Sequence, residues 1–288
     1  MNTHKVLTPD GLEIAASFYG EKLSPTQLKG AVLVVSAIGT PQRYYEGFAT
    51  WLAAQGYLVA TFDYRGTGLS RPKRLRGFHA DILSWAQLDC AAMLEALLVR
   101  APDRPLYWIG HSLGGQILPF VPNHDRLAKV VLVASGSGYW RSNADYLRPR
   151  AWWLWFVLAP LAVPLCGYFP GRSLRLVGDL PKDVMLQWRR WCLHPEYAIS
   201  EGEWVRERYA AVTTPIVFIS FPDDEFMSAR STESLHGWYV NAPRTMKRIA
   251  PQAVGVARIG HFGFFRPGFQ QLLWQERLLP ELVLDKEP

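Results

Sequence analysis

Leu106-Tyr107-Trp108-Ile109-Gly110-His111-Ser112-Leu113-Gly114-Gly115 is the stretch whose reading decides the fold. Its first four residues form an apolar run of buried-strand type, and the residues after Gly110 read as a helix. Between the two lies Gly110-His111-Ser112-Leu113-Gly114, spaced as G-x-S-x-G, a sharp strand-to-helix turn that lifts a serine clear of its neighbours. A residue at the apex of such a turn is strained by about 1 to 3 kcal/mol, so the flanking positions must lack bulk. Gly110, Gly114 and Gly115 leave that room. A serine hydroxyl is a poor nucleophile at neutral pH and needs a base in hydrogen-bond reach, with an acid to orient the base.

Working outward from this turn, short apolar runs alternate with segments of helical period, which predicts an α/β fold: a mostly parallel central sheet flanked by helices. The turn Thr8-Pro9-Asp10-Gly11 predicts an N-terminal hairpin of edge strands, beginning near Lys5 and returning over Leu12 to Tyr19. Buried strands are expected at Ala31 to Ser36, Tyr57 to Phe62, Leu106 to Ile109, Lys129 to Ala134 and Ile216 to Ser220, with a shorter one near Met246 to Ile249. Helices are expected at Arg43 to Gln55, stopped by Gly56, at about His79 to Leu98, after Gly110, near Ser231 to Tyr239, and from about Gly268 to Leu278.

The alternation breaks between the sixth and seventh strands. From Ser137 to Val212 the chain holds Trp140, Trp152, Trp153, Trp155, Trp188, Trp191 and Trp204, seven of its twelve tryptophans. We read residues 137–212 as a helical, Trp-rich insertion, a cap or lid, and residues 1–136 with 213–288 as the core domain. Within the insertion, Ala151 to Phe169 is uncharged and nearly long enough for a bilayer. Pro160, Pro164 and Gly167 interrupt it, and a single crossing would put Ile216 to Ser220 across the membrane from the rest of its own sheet. No transmembrane span is expected. The first reading is an internally buried cap; the second is a cap whose apolar surface also makes peripheral contact with lipid, flanked by Arg148, Arg150 and Arg172.

With 49% hydrophobic and 19% charged residues, the 288-residue chain is outside the disordered range. Its 31 basic and 25 acidic residues leave +6, without the clustered Lys/Arg block of a nucleic-acid binder. Cys90, Cys166 and Cys192 are odd in number and form no C-x-x-C pair, which argues against a disulfide framework or a zinc site. Met1 to Glu13 carries Lys5, Asp10 and Glu13 where the apolar run of a signal peptide would lie, so a cytoplasmic location is expected.

Partners for Ser112 are sought after the later strands. Pro222-Asp223-Asp224-Glu225 follows Ile216 to Ser220, and Gly260-His261-Phe262 follows the last strand. Among seven histidines, His261 is the candidate base because it alone stands on a Gly-flanked loop facing the strand C-terminal ends. His111 lies inside the turn and is expected to support the loop, while His194 could line a pocket from the insertion. The chain order Ser, Asp, His excludes the chymotrypsin and subtilisin arrangements. Gly66-Thr67-Gly68 is not a dinucleotide fingerprint, since the third glycine would fall at Arg71, and no cofactor or metal is expected.

Over nearly its whole length the chain resembles an α/β-hydrolase. Ser36-Ala37-Ile38-Gly39-Thr40-Pro41-Gln42-Arg43-Tyr44-Tyr45, Asp63-Tyr64-Arg65-Gly66-Thr67-Gly68-Leu69-Ser70 and Gly260-His261-Phe262-Gly263-Phe264-Phe265 resemble a bacterial group of predicted serine hydrolases. The resemblance implies a triad of Ser112, Asp224 and His261, with Asp223 as the alternative acid. It also implies two backbone donors for an oxyanion, the NH of Leu113 and one from the loop after Ala31 to Ser36. Related enzymes often carry His-Gly-x there, where this chain has Ser36 and Ala37; Ile38 is our choice, with Ala37 and Gly39 as alternatives. The function expected is a serine hydrolase, a carboxylesterase, lipase-like enzyme or thioesterase, acting through an acyl-enzyme on an apolar or acyl-bearing small molecule. The alternatives are a carbon-carbon bond hydrolase or acyltransferase with the same triad, or a non-catalytic protein that binds a hydrophobic ligand.

Overall fold

A computed structural model of the chain describes residues 3–283. Positions 1–2 and 284–288 of the expected core domain lie outside the described residues. Six strands precede the insertion: β1 (Thr3–Leu7), β2 (Glu13–Tyr19), β3 (Gly30–Val35), β4 (Tyr57–Phe62), β5 (Leu106–His111) and β6 (Lys129–Val133). Within the insertion, β7 (Tyr168–Phe169) and β8 (Leu180–Pro181) pair only with each other, and β9 (Ile216–Ser220) and β10 (Arg244–Arg248) follow it. The main sheet has eight strands in the order β1-β2-β4-β3-β5-β6-β9-β10, parallel from β4 to β10 and antiparallel across β1, β2 and β4. Only β1 is an edge of the expected hairpin; β2 is interior, because its outer register pairs Ala16 to Tyr19 with Val59 to Phe62.

Side chains of β3 alternate between two cores. Ala31, Leu33 and Val35 face the layer that holds Trp85, Met93 and Trp108, while Val32 and Val34 face the layer of Phe48, Trp51 and Trp274. Burial on both faces is why this strand reads as an unbroken apolar run. The helix from Ile82 to Arg100 starts three residues later than expected, where Asp81 and Ser84 form a reciprocal capping box. It contains a π-type turn over Trp85–Cys90. The helix expected after Gly110 is short, Leu113–Gln116, because Gly114, Gly115 and then Pro119 favour no continuation.

Between β6 and β9 the chain forms helices that join no strand of the main sheet, chiefly Asp145–Cys166, Lys182–Leu193 and Glu203–Ala211. Two helices, Ile82–Arg100 and Asp145–Cys166, are long and apolar enough to cross a membrane by length and composition alone. The first is a core helix, 56% buried; the second is only 22% buried. An internally buried cap is therefore not what the structure contains. Trp155, Ala159 and Val163 pack inward, and the opposite face of the same helix stays open.

Arg65 ties the N-terminal hairpin to the sheet. Its Nε donates to Asp89 at 2.7 Å, and its two terminal nitrogens donate to Asp10 at 2.7 and 3.0 Å. Burial pushes the Asp89 carboxyl up to about 6 against the pull of Arg65. Removing the guanidinium strands a buried carboxylate, so Arg65→Leu is expected to lose about 3 to 5 kcal/mol in urea unfolding at pH 7. Because the folded Asp89 pKa already exceeds its unfolded value, the loss grows with rising pH and shrinks below about pH 6, where the carboxyl takes up a proton. Equal losses at pH 5 and pH 7 would rule out the buried charge as the cause.

Candidate active site

Ser112 sits at the C-terminal end of β5 with φ 52° and ψ −114°, outside the regions favoured by L-residues. Its NH donates to Val133 O at 3.0 Å, and Ser135 Oγ donates to its carbonyl at 3.0 Å, so the strained backbone is held from the neighbouring strand. The glycines are required by proximity. A Cβ at Gly110 would lie 2.5 Å from Gly114 O, and one at Gly114 would overlap the Val35 carbonyl.

Two further strand ends bring acid and base together. Asp224, after β9, accepts from the NH groups of Phe226 and Met227 at 2.9 and 2.8 Å, and its two carboxylate oxygens meet His261 Nδ1 at 3.0 and 2.9 Å. Both residues are buried. Asp223 does not reach the ring. Its Oδ2 accepts from Ile259 N at 2.8 Å and Gly260 N at 2.9 Å, and Glu225 accepts from His261 N at 3.2 Å and from Arg258 at 3.1 Å. Three consecutive acids thus grip one loop, Asp223 and Glu225 by its backbone and Asp224 by its histidine. Sequence reasoning missed the backbone grip; the run of acids beside a glycine-bounded histidine was its only signal.

His111 was expected to support a loop, and it bridges two. Tyr45 Oη accepts from Ala37 N at 2.9 Å and lies 2.8 Å from His111 Nδ1, while His111 Nε2 lies 3.0 Å from His261 O. Proton accounting fixes the directions. Burial, reinforced by nearby His261, holds His111 well below the usual imidazole range, so it is neutral. Its one proton must go to the His261 carbonyl, and its Nδ1 accepts from Tyr45. Tyr44 Oη also donates to Phe262 O. Ala37 has thereby committed its NH to Tyr45, whereas neither Ile38 nor Gly39 donates its NH to another described residue. Leu113 occupies the first position of its helical turn, where an NH has no intrahelical partner.

Ser112 and His261 both line a cavity of about 1310 Å³, together with Ile38, Leu113 and, from the insertion, Trp153, Trp155, Trp188, Leu154 and Leu158. The tryptophans divide three ways: Trp191 is core, Trp155 and Trp188 wall the cavity edge to face at 4.8 Å, and Trp152 faces solvent. His194 is exposed and absent from the lining; its Nδ1 accepts from Glu196 N at the end of its helix. The loop at 177–178 reaches the loop after β3, where a Cβ on Gly39 would lie 2.8 Å from Gly178 N. Among the described residues no three His, Cys, Asp or Glu gather as a metal-holding group. Chemically, the arrangement offers a hydroxyl, a carboxylate-oriented imidazole and uncommitted backbone NH groups around one apolar space.

A parallel sheet with its strand-to-helix serine turn and returning acid and histidine loops defines an α/β-hydrolase. The family described as serine aminopeptidase, S33, matches residues 26–250, and the chain belongs to it. A monoglyceride lipase of Saccharomyces cerevisiae is 27% identical over 108 residues, 38% of this chain and 34% of that protein, so the match spans about a third of the relative's length. The structure of a soluble variant of the Saccharomyces cerevisiae monoglyceride lipase, solved with a substrate analogue, has a TM-score of 0.63 at 17% identity, covering 87% of each chain. Est816, described as an N-acyl homoserine lactone degrading enzyme, has a TM-score of 0.60 at 19% identity, covering 95% of this chain and 100% of the other. At these identities the structural likenesses establish the fold.

The neutral state of His111 has a measurable consequence. Below the ordinary imidazole pKa of about 6.5 the unfolded chain takes up a proton that the folded chain refuses, so this group destabilises the fold as pH falls. Above that pH it contributes nothing to the pH dependence. The expected outcome is a shallower loss of melting temperature between pH 6.5 and 5 in His111→Gln than in the wild type; parallel slopes would show that His111 is not held neutral.

Proposed function

We propose that the protein is a serine hydrolase of the esterase or lipase kind, cleaving an ester or thioester of an apolar acyl group through an acyl-enzyme. The observation that carries this reading is the Asp224 contact to His261 Nδ1 beside a cavity that both His261 and Ser112 line, so that Nε2 is the ring nitrogen left to act on Ser112. In the proposed cycle His261 takes the Ser112 proton as Oγ attacks the acyl carbon, and Asp224 holds the imidazole in the required tautomer. The NH groups of Leu113 and Ile38 receive the developing oxyanion; the commitment of Ala37 to Tyr45 favours Ile38, with Gly39 as the remaining alternative. His261 then protonates the leaving group, deprotonates a water, and the carboxylic acid departs. Ser112, Asp224 and His261 suffice for these steps as written.

The family's descriptive name raises amide cleavage at a peptide N-terminus as a second reading. Such a site must receive an ammonium group, yet the charged residues around this cavity are Arg43, Arg150, Arg175, Arg266 and a single acid, Glu46. That balance favours a substrate without a free amine. In the same reading residues 137–212 act as the lid of a core made from 1–136 and 213–288, and the apolar lid shields the acyl chain from bulk water while leaving the ester carbon open to the one water that His261 deprotonates. Three unpaired cysteines, two of them buried, suit a reducing cytoplasm.

Ser112→Ala is expected to lower turnover of p-nitrophenyl esters by more than about 10⁴-fold and to abolish fluorophosphonate labelling while the melting temperature holds. Asp224→Asn should cost on the order of a thousandfold or more, whereas Asp223→Asn keeps a carbonyl for the two NH groups it serves and should cost less than about tenfold. The reverse ranking would move the acid to Asp223, and an unlabelled wild type would favour a ligand-binding protein. Across acyl chains of graded length, kcat/KM should rise beyond acetyl; an acetyl optimum would contradict the acyl reading of the cavity.

A further inference from the structure

We infer that the outward face of helix Asp145–Cys166, with the adjoining turn at 172–176, docks on an anionic lipid bilayer and opens the mouth of the cavity toward it. The observation is a mismatch between composition and burial. This helix is apolar enough to span a membrane, yet only 22% of its apolar window is buried, and Trp152, Trp153, Phe156, Leu161 and Leu165 are 44% to 75% exposed. The surface is continuous: Trp152 stacks on Phe156 with centroids 5.8 Å apart, and Trp140 meets Phe156 edge-on at 5.9 Å. Contiguous apolar surface of this kind marks an interaction site.

Spanning is excluded by the sheet. β6 and β9 flank the helix in sequence and are hydrogen-bonded neighbours, with Val130 opposite Ile216, so one crossing would separate strands that pair. The helix can instead lie in the interfacial plane, where tryptophan rings and arginine heads are both accommodated. Charge selects the occupant. Arg148, Arg150, Arg172 and Arg175 are exposed around this face; Asp145 pairs with Arg148 at 2.8 Å, and the guanidinium groups of the other three meet no carboxylate among the described residues, Arg172 donating to Asp179 only through its backbone NH at 3.0 Å. A two-fold contact with a second copy would set these arginines against one another, whereas an anionic leaflet neutralises them. Arg150, Trp153, Arg175 and Leu176 are at once exposed and part of the cavity lining, so the rim of the cavity belongs to the docking face. That an acyl ester enters from the bilayer rests on the ester-cleaving reading of the cavity; the docking itself does not.

Co-sedimentation of the full chain with vesicles of phosphatidylcholine containing a minority of phosphatidylglycerol tests this. The wild type should partition to them about tenfold more strongly than to pure phosphatidylcholine, and less at high salt. The triple variant Trp152→Ser, Leu161→Ser and Leu165→Ser should lose about tenfold or more of that partition. None of these three side chains lines the cavity, so turnover of a water-soluble short-chain ester should stay unchanged and show that the variant is folded. Arg148→Glu with Arg172→Glu should weaken binding to the anionic vesicles and leave binding to phosphatidylcholine as it was. Ser112→Ala should sediment like the wild type, so docking and hydrolysis can fail separately. A wild type that stays in the supernatant with anionic vesicles, or a triple variant that sediments as well as wild type, overturns the proposal. A concentration-dependent dimer dissolved by the triple variant, without vesicle binding, would assign the face to a second copy.

Discussion

The hold on the loop 258–262 is the constraint on which the rest of the site depends. A histidine on a turn between short elements is free to swing, and the sheet alone does nothing to prevent it. Here the loop is held from three directions: by the acids after β9, by His111 from the end of β5, and by Tyr44 from the segment after β3. Each contact uses a backbone group of the loop, which leaves Nδ1 of the His261 ring to Asp224. A parallel sheet makes this economical, because every strand delivers its following loop to the same edge.

The same edge explains why Tyr45 and His111 are polar residues in apolar surroundings. Ala37 N, Tyr45, His111 and the His261 carbonyl form one chain of hydrogen bonds, with each donor and acceptor committed in a single direction. Such a chain fixes the loop after β3 relative to the histidine loop, and Ile38 sits next to its end. Replacing any member would leave a buried partner unsatisfied, which typically costs about 1 to 3 kcal/mol. The strand-to-helix turn adds its own strain at Ser112, and the bonds that Ser112 donates to Val133 O and accepts from Ser135 offset part of it.

Much of this was legible from composition and spacing. β3, β4, β5, β6 and β9 are buried on both faces, so each stands out as an apolar run, and the glycines around Ser112 mark the only way a strand and helix can approach so closely. What stayed hidden depends on direction in space. Asp223 and Asp224 are neighbours of the same chemistry, and only the turn decides that one faces a ring and the other a backbone. The interior position of β2 could not be read from its own residues, since it depends on pairing with β4, whose residues come far later in the chain. The end of the short helix after Ser112 could not be read, because apolar residues continue through Ile117 and Leu118 although the α-helix does not.

The inserted segment shows the limit of hydrophobicity as a guide to burial. Ala151 to Phe169 is apolar on nearly every side, and an apolar helix in a soluble chain is ordinarily core. Yet a helix that walls a cavity of about 1310 Å³ cannot also be surrounded by protein, because the cavity takes one side and the helix Lys182–Leu193 only part of the other. Arg189 donating to Trp155 O, and Arg76 donating to the carbonyls of Leu165 and Cys166, anchor it at its middle and its C-terminal end. Neither contact covers the outer face. A segment that only lidded a pocket would need apolar residues inward and polar ones outward; this one is apolar in both directions, and the outward half is the part that a cavity wall does not require.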